Sequence, residues 1–282
     1  MNEWQAWIGR EEANRDRIDE GTVARWLAML DRTPLSDGSV PQGFHWCLCL
    51  PDAPTAMLGV DGHPVRNDSP DSFLPPISLP RRMWAASKVE FFGSLRLGRS
   101  VERFSRVVSI TEKQGSSGTL VFVEIMHETL DDGEAKVREI QSLVFREPSR
   151  VNTPSPPPPG DERLDLSSWD AHRMLVPSET LLFRYSALTF NSHRIHYDLP
   201  YATNEEGYRG IVVHGPLTAT LLLDLAARHF GDNQLQKFAF RGVSPAIGGE
   251  HLHLALRENG STIEIGAYAT DGRQIMAATA SL

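Results

Sequence analysis

The segment from Leu217 to Phe230 constrains the fold of this 282-residue chain more than any other. Its length suits a helix, with Leu217, Leu221, Leu222, Leu225 and Ala226 at helical spacing and Asp224 paired with Arg228 at i, i+4. So wide an apolar arc requires enclosure on most sides. The enclosing elements follow directly: after Gly231 come strand-like runs at 236–242, 251–257, 262–270 and 274–282. They are separated by Gly248-Gly249, Asn259-Gly260 and Asp271-Gly272, dipeptides that hairpins favour. The expected unit is a buried helix followed by an antiparallel meander.

The first half repeats this order without an obvious sequence repeat. Val23, Trp26, Leu27 and Leu30 make an amphipathic helical face, and the short apolar segment from Phe44 to Leu50 closes on Pro51. Strand-like runs follow at 88–92, 100–111, 120–129 and 136–145, with turns at Gly115-Ser116-Ser117-Gly118 and Asp131-Asp132-Gly133. Between the halves lies Thr153-Pro154-Ser155-Pro156-Pro157-Pro158-Pro159-Gly160, which cannot join a sheet interior and reads as a linker. The expected organisation is a first domain over 1–150, a linker over 151–162 and a second domain over 163–282. The fold class is α+β, each half an antiparallel sheet wrapped around a central helix.

Composition excludes several functions. No run approaches the ~18–20 apolar residues needed to span a bilayer, so no membrane partner is expected. The N-terminus has no secretory apolar core and is too acidic for a transit peptide, which makes the cytoplasm the expected location. Lys and Arg number 28 against 36 Asp and Glu, a net charge of −8, which argues against a nucleic-acid partner. Only Cys47 and Cys49 are present; lacking a second ligand pair, they are expected as half-buried thiols rather than a zinc site. No metal is expected. His251 and His253 read as an ordinary strand face, and no Gly-rich loop has a nucleotide-binding fingerprint.

Chemistry concentrates in the second half. Of ten histidines, His193, His196 and His214 fall in Leu188-Thr189-Phe190-Asn191-Ser192-His193-Arg194-Ile195-His196-Tyr197-Asp198 and Ile211-Val212-Val213-His214-Gly215-Pro216. Imidazole titrates near neutrality, so the group is a candidate proton-transfer site. Gly215 opens the buried helix with Pro216 at its first position, leaving backbone N–H groups to stabilise an oxyanion.

These two stretches resemble the hydratase motif and the following Ile-x-His-Gly turn of the MaoC-like enoyl-CoA hydratases of the hydratase 2 type. The wording from Thr189 to Asp198 is closer still to the branch of mesaconyl-C4-CoA and itaconyl-CoA hydratases and mitochondrial-type hydroxyacyl-thioester dehydratases. Leu79-Pro80-Arg81-Arg82-Met83-Trp84, the run from Gly115 to Val123, and His127-Glu128 are similar to that branch's N-terminal domain. The resemblance covers most of the chain and implies a double hotdog fold and a hydro-lyase acting on an acyl-CoA, with no cofactor beyond the CoA of the substrate. A double hotdog already contains the pairing that single hotdogs reach by dimerising, so a homodimer is compatible but not required.

Hydration of an enoyl thioester needs a base for water, an acid for Cα and donors for the enolate oxygen. His196 is the expected base. The family's carboxylate five residues upstream is here Asn191, which can orient but cannot exchange a proton; Asp198 and His193 are the candidate substitutes. His214 is either catalytic or a structural group beside a helix start. Arg194 is the candidate partner for a substrate carboxylate, with Tyr197 beside it. Arg81 or Arg82 and Arg241 are candidate CoA contacts, the alternative being solvated arginines. Trp84, a candidate wall for the substrate, and Trp46 are expected chiefly in packing. The resemblance makes a C4/C5 dicarboxylic mono-CoA such as mesaconyl-C4-CoA or itaconyl-CoA the expected substrate, and three other functions remain open: a general 3-hydroxyacyl-thioester dehydratase, a hotdog thioesterase, and a non-catalytic acyl-thioester-binding protein.

Overall fold

The computed structural model describes residues 4–115, 118–147 and 155–282. Among these, each half contributes five strands. The first half supplies β1 (Glu11–Arg17), β2 (Arg81–Phe91), β3 (Ser100–Gly115), β4 (Gly118–Asp131) and β5 (Glu134–Arg146). From the second come β6 (Ala171–Leu175), β7 (Lys237–Gly242), β8 (Leu252–Asn259), β9 (Thr262–Tyr268) and β10 (Gln274–Ser281). All ten lie in one antiparallel sheet ordered β1-β3-β4-β5-β2-β7-β10-β9-β8-β6. Counted inward from either edge, each half places its strands first, third, fourth, fifth, second. The halves therefore repeat one topology and join at the β2–β7 pair, where Ser87 faces Phe240.

The eight strands expected from sequence are present. β2 differs most, starting already at Arg81, directly after Pro80. The hairpin between β4 and β5 turns through Asp132 and Gly133, both at positive φ (52° and 78°), the conformation that Asp-Gly adopts in a tight hairpin. Ser116 and Ser117 of the expected β3–β4 turn lie outside the described residues, as do Thr153 and Pro154 of the expected linker. Beyond them, Ser155 exchanges backbone hydrogen bonds with Gly207 and Arg209.

Among the described residues three α-helices accompany the sheet: α1 (Glu20–Met29), α2 (Glu179–Leu188) and α3 (Gly215–Phe230). In α3 all ten residues from Leu217 to Ala226 are buried, and the helix packs on β6, β8, β9 and β10. Full burial of each leucine stabilises the fold by about 1.5–3 kcal/mol. The one charge in this stretch, Asp224, accepts hydrogen bonds from Arg32 (2.9 Å), Arg173 (2.7 Å) and Arg228 (2.8 Å), so the buried carboxylate is fully partnered. Arg32 comes from the first half, and the network joins the two. Helix α1 packs against α2, and Trp26 meets Phe44 edge to face at 5.8 Å in the same core as Leu217 and Leu222. Cys47 and Cys49 are unpaired and more deeply buried than expected. No described helix is long and apolar enough to cross a membrane.

Candidate active site

The site is built where a loop of the first half meets three segments of the second. Helix α2 ends with the Asn191 N–H donating to Ser186 O at 2.9 Å, and Phe190 takes the left-handed conformation (φ 48°) that usually calls for glycine. This turn delivers Asn191 to the site. Its Oδ1 then accepts from the His193 backbone N–H (3.0 Å), and the chain winds into a 3₁₀ turn, Arg194–His196. His196 is buried. Its Nδ1 lies 2.7 Å from Val212 O, an obligate acceptor, so Nδ1 carries the proton and Nε2 the lone pair. Among the described residues Nε2 makes no hydrogen bond.

His214, the last residue before α3, stacks on His196 with ring centroids 3.6 Å apart, and its Nε2 lies 2.9 Å from Ser186 Oγ. His193 meets His196 edge to face at 5.5 Å. Burial disfavours the charged form of all three: His196 is pushed down to about 3 by burial and then by neighbouring His193, and His193 to about 3 by burial and then by His63. Burial, followed by His196, also holds His214 well below the usual histidine range. His196 is thus neutral at physiological pH.

The first half contributes a loop that the sequence reading did not anticipate. Gly62 packs against the histidine loop so closely that a Cβ would stand 2.0 Å from Ser192 O, and Gly62 adopts φ +86°. Ser192 Oγ donates to Gly62 O (2.6 Å), and the Arg194 N–H donates to Asp61 O (2.9 Å). The clasp sets His63 against His193, ring centroids 4.1 Å apart, with His63 Nδ1 3.0 Å from Asp61 Oδ2. Burial opposes the Asp61 charge, but hydrogen bonds from His63 outweigh it and hold the carboxyl well below its ordinary range. Asp61, His63 and His193 place ligating atoms within 4.8 Å of one another, an arrangement that a metal ion could share. The signal available in sequence was Asp61-Gly62-His63, a carboxylate two residues from an imidazole, in a segment too polar and irregular to read as an element.

These groups line a cavity of about 1870 Å³ drawn from both halves, including Asn191, His193, His196, Tyr197, His214, Gly215, Arg81, Arg82 and Trp84. It exceeds the ~300–1,000 Å³ typical of small-ligand pockets and suits a long thioester. A Cβ on Gly215 would meet nothing within 4 Å, so the start of α3 borders open space. Trp84 meets Trp46 edge to face at 5.8 Å and donates to Ser87 Oγ (2.8 Å). The Tyr197 hydroxyl donates to Ser192 O.

Three expected contacts stand elsewhere. Arg194 gives two guanidinium N–H groups to Asp198 (2.9 and 2.7 Å) and one to Val60 O (2.8 Å), and covers the Tyr201 ring at 4.2 Å. Asp198 also accepts from the Tyr201 N–H, so it holds both that arginine and the first residue of the π-helical turn Tyr201–Glu205. Neither lines the cavity, and each spends its charge on the other. Arg241 is exposed on the face of β7 opposite Phe238 and Phe240, outside the lining. Arg81 lines the cavity but is paired with Glu206 at 2.6 Å.

Comparison with known proteins agrees with this architecture. The family described as hydroxyacyl-thioester dehydratase type 2 matches residues 43–248. The chain is 40% identical to mesaconyl-C(4)-CoA hydratase of Chloroflexus aurantiacus over 286 aligned residues, covering 99% of this chain and 98% of that one. A MaoC-like dehydratase from Phytophthora capsici superposes with TM-score 0.71 at 14% identity, over 97% of this chain and 95% of the other. A Mycobacterium tuberculosis protein with a double hotdog fold matches at TM-score 0.57 and 14% identity, over 97% and 95%. The fold is a double hotdog.

Proposed function

This chain belongs to the hydroxyacyl-thioester dehydratase type 2 family, and from that premise we propose that it is an acyl-CoA hydro-lyase. It reversibly adds water across the Cα=Cβ bond of a 2-enoyl-CoA; the preferred substrate is a small dicarboxylic mono-CoA such as mesaconyl-C4-CoA. The observation that carries this reading is the fixed tautomer of His196, whose Nδ1–H is held by Val212 O while Nε2 keeps its lone pair in a cavity bordered by the start of α3.

In the forward direction His196 Nε2 takes a proton from water, the water oxygen bonds to Cβ, and electron density moves to the thioester oxygen. Backbone N–H groups at Gly215 stabilise that oxyanion, and the absence of a side chain lets the thioester come close. Asn191 orients rather than transfers. The carboxylate that the family carries at its position is replaced by Asp61, which holds His63 as the group that returns a proton toward Cα, with His193 relaying between the two histidines. No step calls for a metal, and the only cofactor is the CoA that the substrate brings.

The same reading divides the chain into halves 1–150 and 163–282 joined by 151–162, each wrapping a helix; the repeated strand order and the enclosure of α3 support it. Two buried, unpaired thiols fit a reducing cytoplasm. The test of the base is His196→Ala, followed by loss of the enoyl thioester's ultraviolet absorbance. A fall in kcat of about 10²-fold or more is expected, and an unchanged kcat removes His196 from the mechanism.

A further inference from the structure

Arg66 and Arg82 both line the cavity, and Asp61 lies close enough to both to bias their charge. Arg66 is fully engaged by backbone: it donates to Ile77 O (2.8 Å), Leu79 O (2.6 Å) and Pro80 O (2.6 Å), and lies over the Phe145 ring. Asp61 is engaged by His63. Arg82 is different. Among the described residues its guanidinium makes no ion pair and no hydrogen bond, although its neighbours Arg81 and Arg66 are both satisfied.

The position of Arg82 argues against a phosphate role. It projects from β2 on the same face as Trp84, two residues on, and it stands near enough to His193 to disfavour that imidazole's charged form. Arg82 thus shares the cavity wall with His193 and His196, whereas CoA phosphates are the most strongly hydrated part of the ligand. An open guanidinium in a partly desolvated wall is suited to one planar anion, bound through two parallel N–H groups.

We infer that Arg82 is the receptor for the free carboxylate of the acyl group, a specificity-determining contact; this rests on the hydro-lyase reading above. The chemistry of a dicarboxylic enoyl thioester fits. In mesaconyl-C4-CoA the free carboxylate sits on the carbon that accepts water, so its receptor must share the cavity wall with the base, as Arg82 does with His193 and His196. Arg194, closed on Asp198, is then a positioning residue for the histidine loop.

The experiment compares wild type, Arg82→Met and Arg82→Lys on mesaconyl-C4-CoA and on crotonyl-CoA, which lacks the carboxylate. Arg82→Met is expected to lower kcat/KM for mesaconyl-C4-CoA at least about tenfold more than for crotonyl-CoA, with Arg82→Lys between the two. Losses of equal size on both substrates overturn the inference and leave the hydro-lyase reading standing. A wild type that hydrates neither thioester removes both. A second measurement needs no variant: succinyl-CoA should inhibit wild type at least about tenfold more tightly than butyryl-CoA, and equal inhibition also overturns the inference.

Discussion

Gly62→Ala tests whether the loop of the first half is part of the catalytic site. The new methyl group would be built 2.0 Å from Ser192 O at a backbone φ of +86°. Two costs follow. The left-handed conformation costs an alanine about 1–2 kcal/mol. Carbon and oxygen cannot approach closer than roughly 3 Å without strong repulsion, so the loops must part by about 1 Å. That displacement moves His63 away from His193, and misplacements of this size cost catalysis on the order of 10²-fold. Gly98→Ala is the control: its φ is +80°, yet nothing lies within 4 Å of its Cβ. Thermal unfolding and kcat/KM are measured for both. Each variant should lose a few degrees of Tm, through roughly 1–2 kcal/mol of strain, but only Gly62→Ala should lose activity as well. Gly62→Ala with activity within twofold of wild type would refute the reasoning, as would an equal loss in Gly98→Ala.

Two further predictions concern stability. Asp224→Ala leaves three arginines facing a buried site without their carboxylate, and should cost about 3–5 kcal/mol, read as a Tm drop on the order of 10 °C; a drop under two degrees would contradict the network's role. His193 and His196 have folded-state values near 3, and His214 is likewise depressed, so below the ordinary histidine range the unfolded chain binds protons that the folded chain does not. Their contribution is therefore complete above about pH 6.5 and is lost toward pH 3, at up to about 1.4 kcal/mol per pH unit for each group. Tm should fall between pH 7 and pH 5, and fall less in His196→Gln; a flat profile in wild type would contradict the assignment.

Much of this molecule was legible because its signals are periodic or chemical. The enclosure of α3 was written in Leu217, Leu221, Leu222 and Leu225, and the hairpins in Asp132-Gly133 and Asn259-Gly260. What escaped were β1 and β6, the two edges of the sheet. Edge strands carry charge instead of alternating apolar residues, and Glu11, Glu12, Arg15 and Arg17 show why periodicity is silent there. In the site, residues adjacent in sequence were found and residues adjacent only in space were not. His193, His196 and His214 come together as their spacing suggested, but Asp61 and His63 reach them from some 130 positions upstream through one glycine contact. Arg194 looked available because it lies between two histidines; only the fold shows that Asp198, one helical turn on, takes it out of the cavity.

The central claim is that this site adds water to an enoyl thioester rather than to the thioester carbonyl. Incubating the full chain with mesaconyl-C4-CoA, crotonyl-CoA and a saturated acyl-CoA, while following loss of the conjugated double bond and release of free thiol together, addresses it directly. The account predicts loss of the double bond without thiol release, with the highest kcat/KM on a dicarboxylic mono-CoA. Thiol release from the saturated acyl-CoA, with no hydration of any enoyl-CoA, would contradict it.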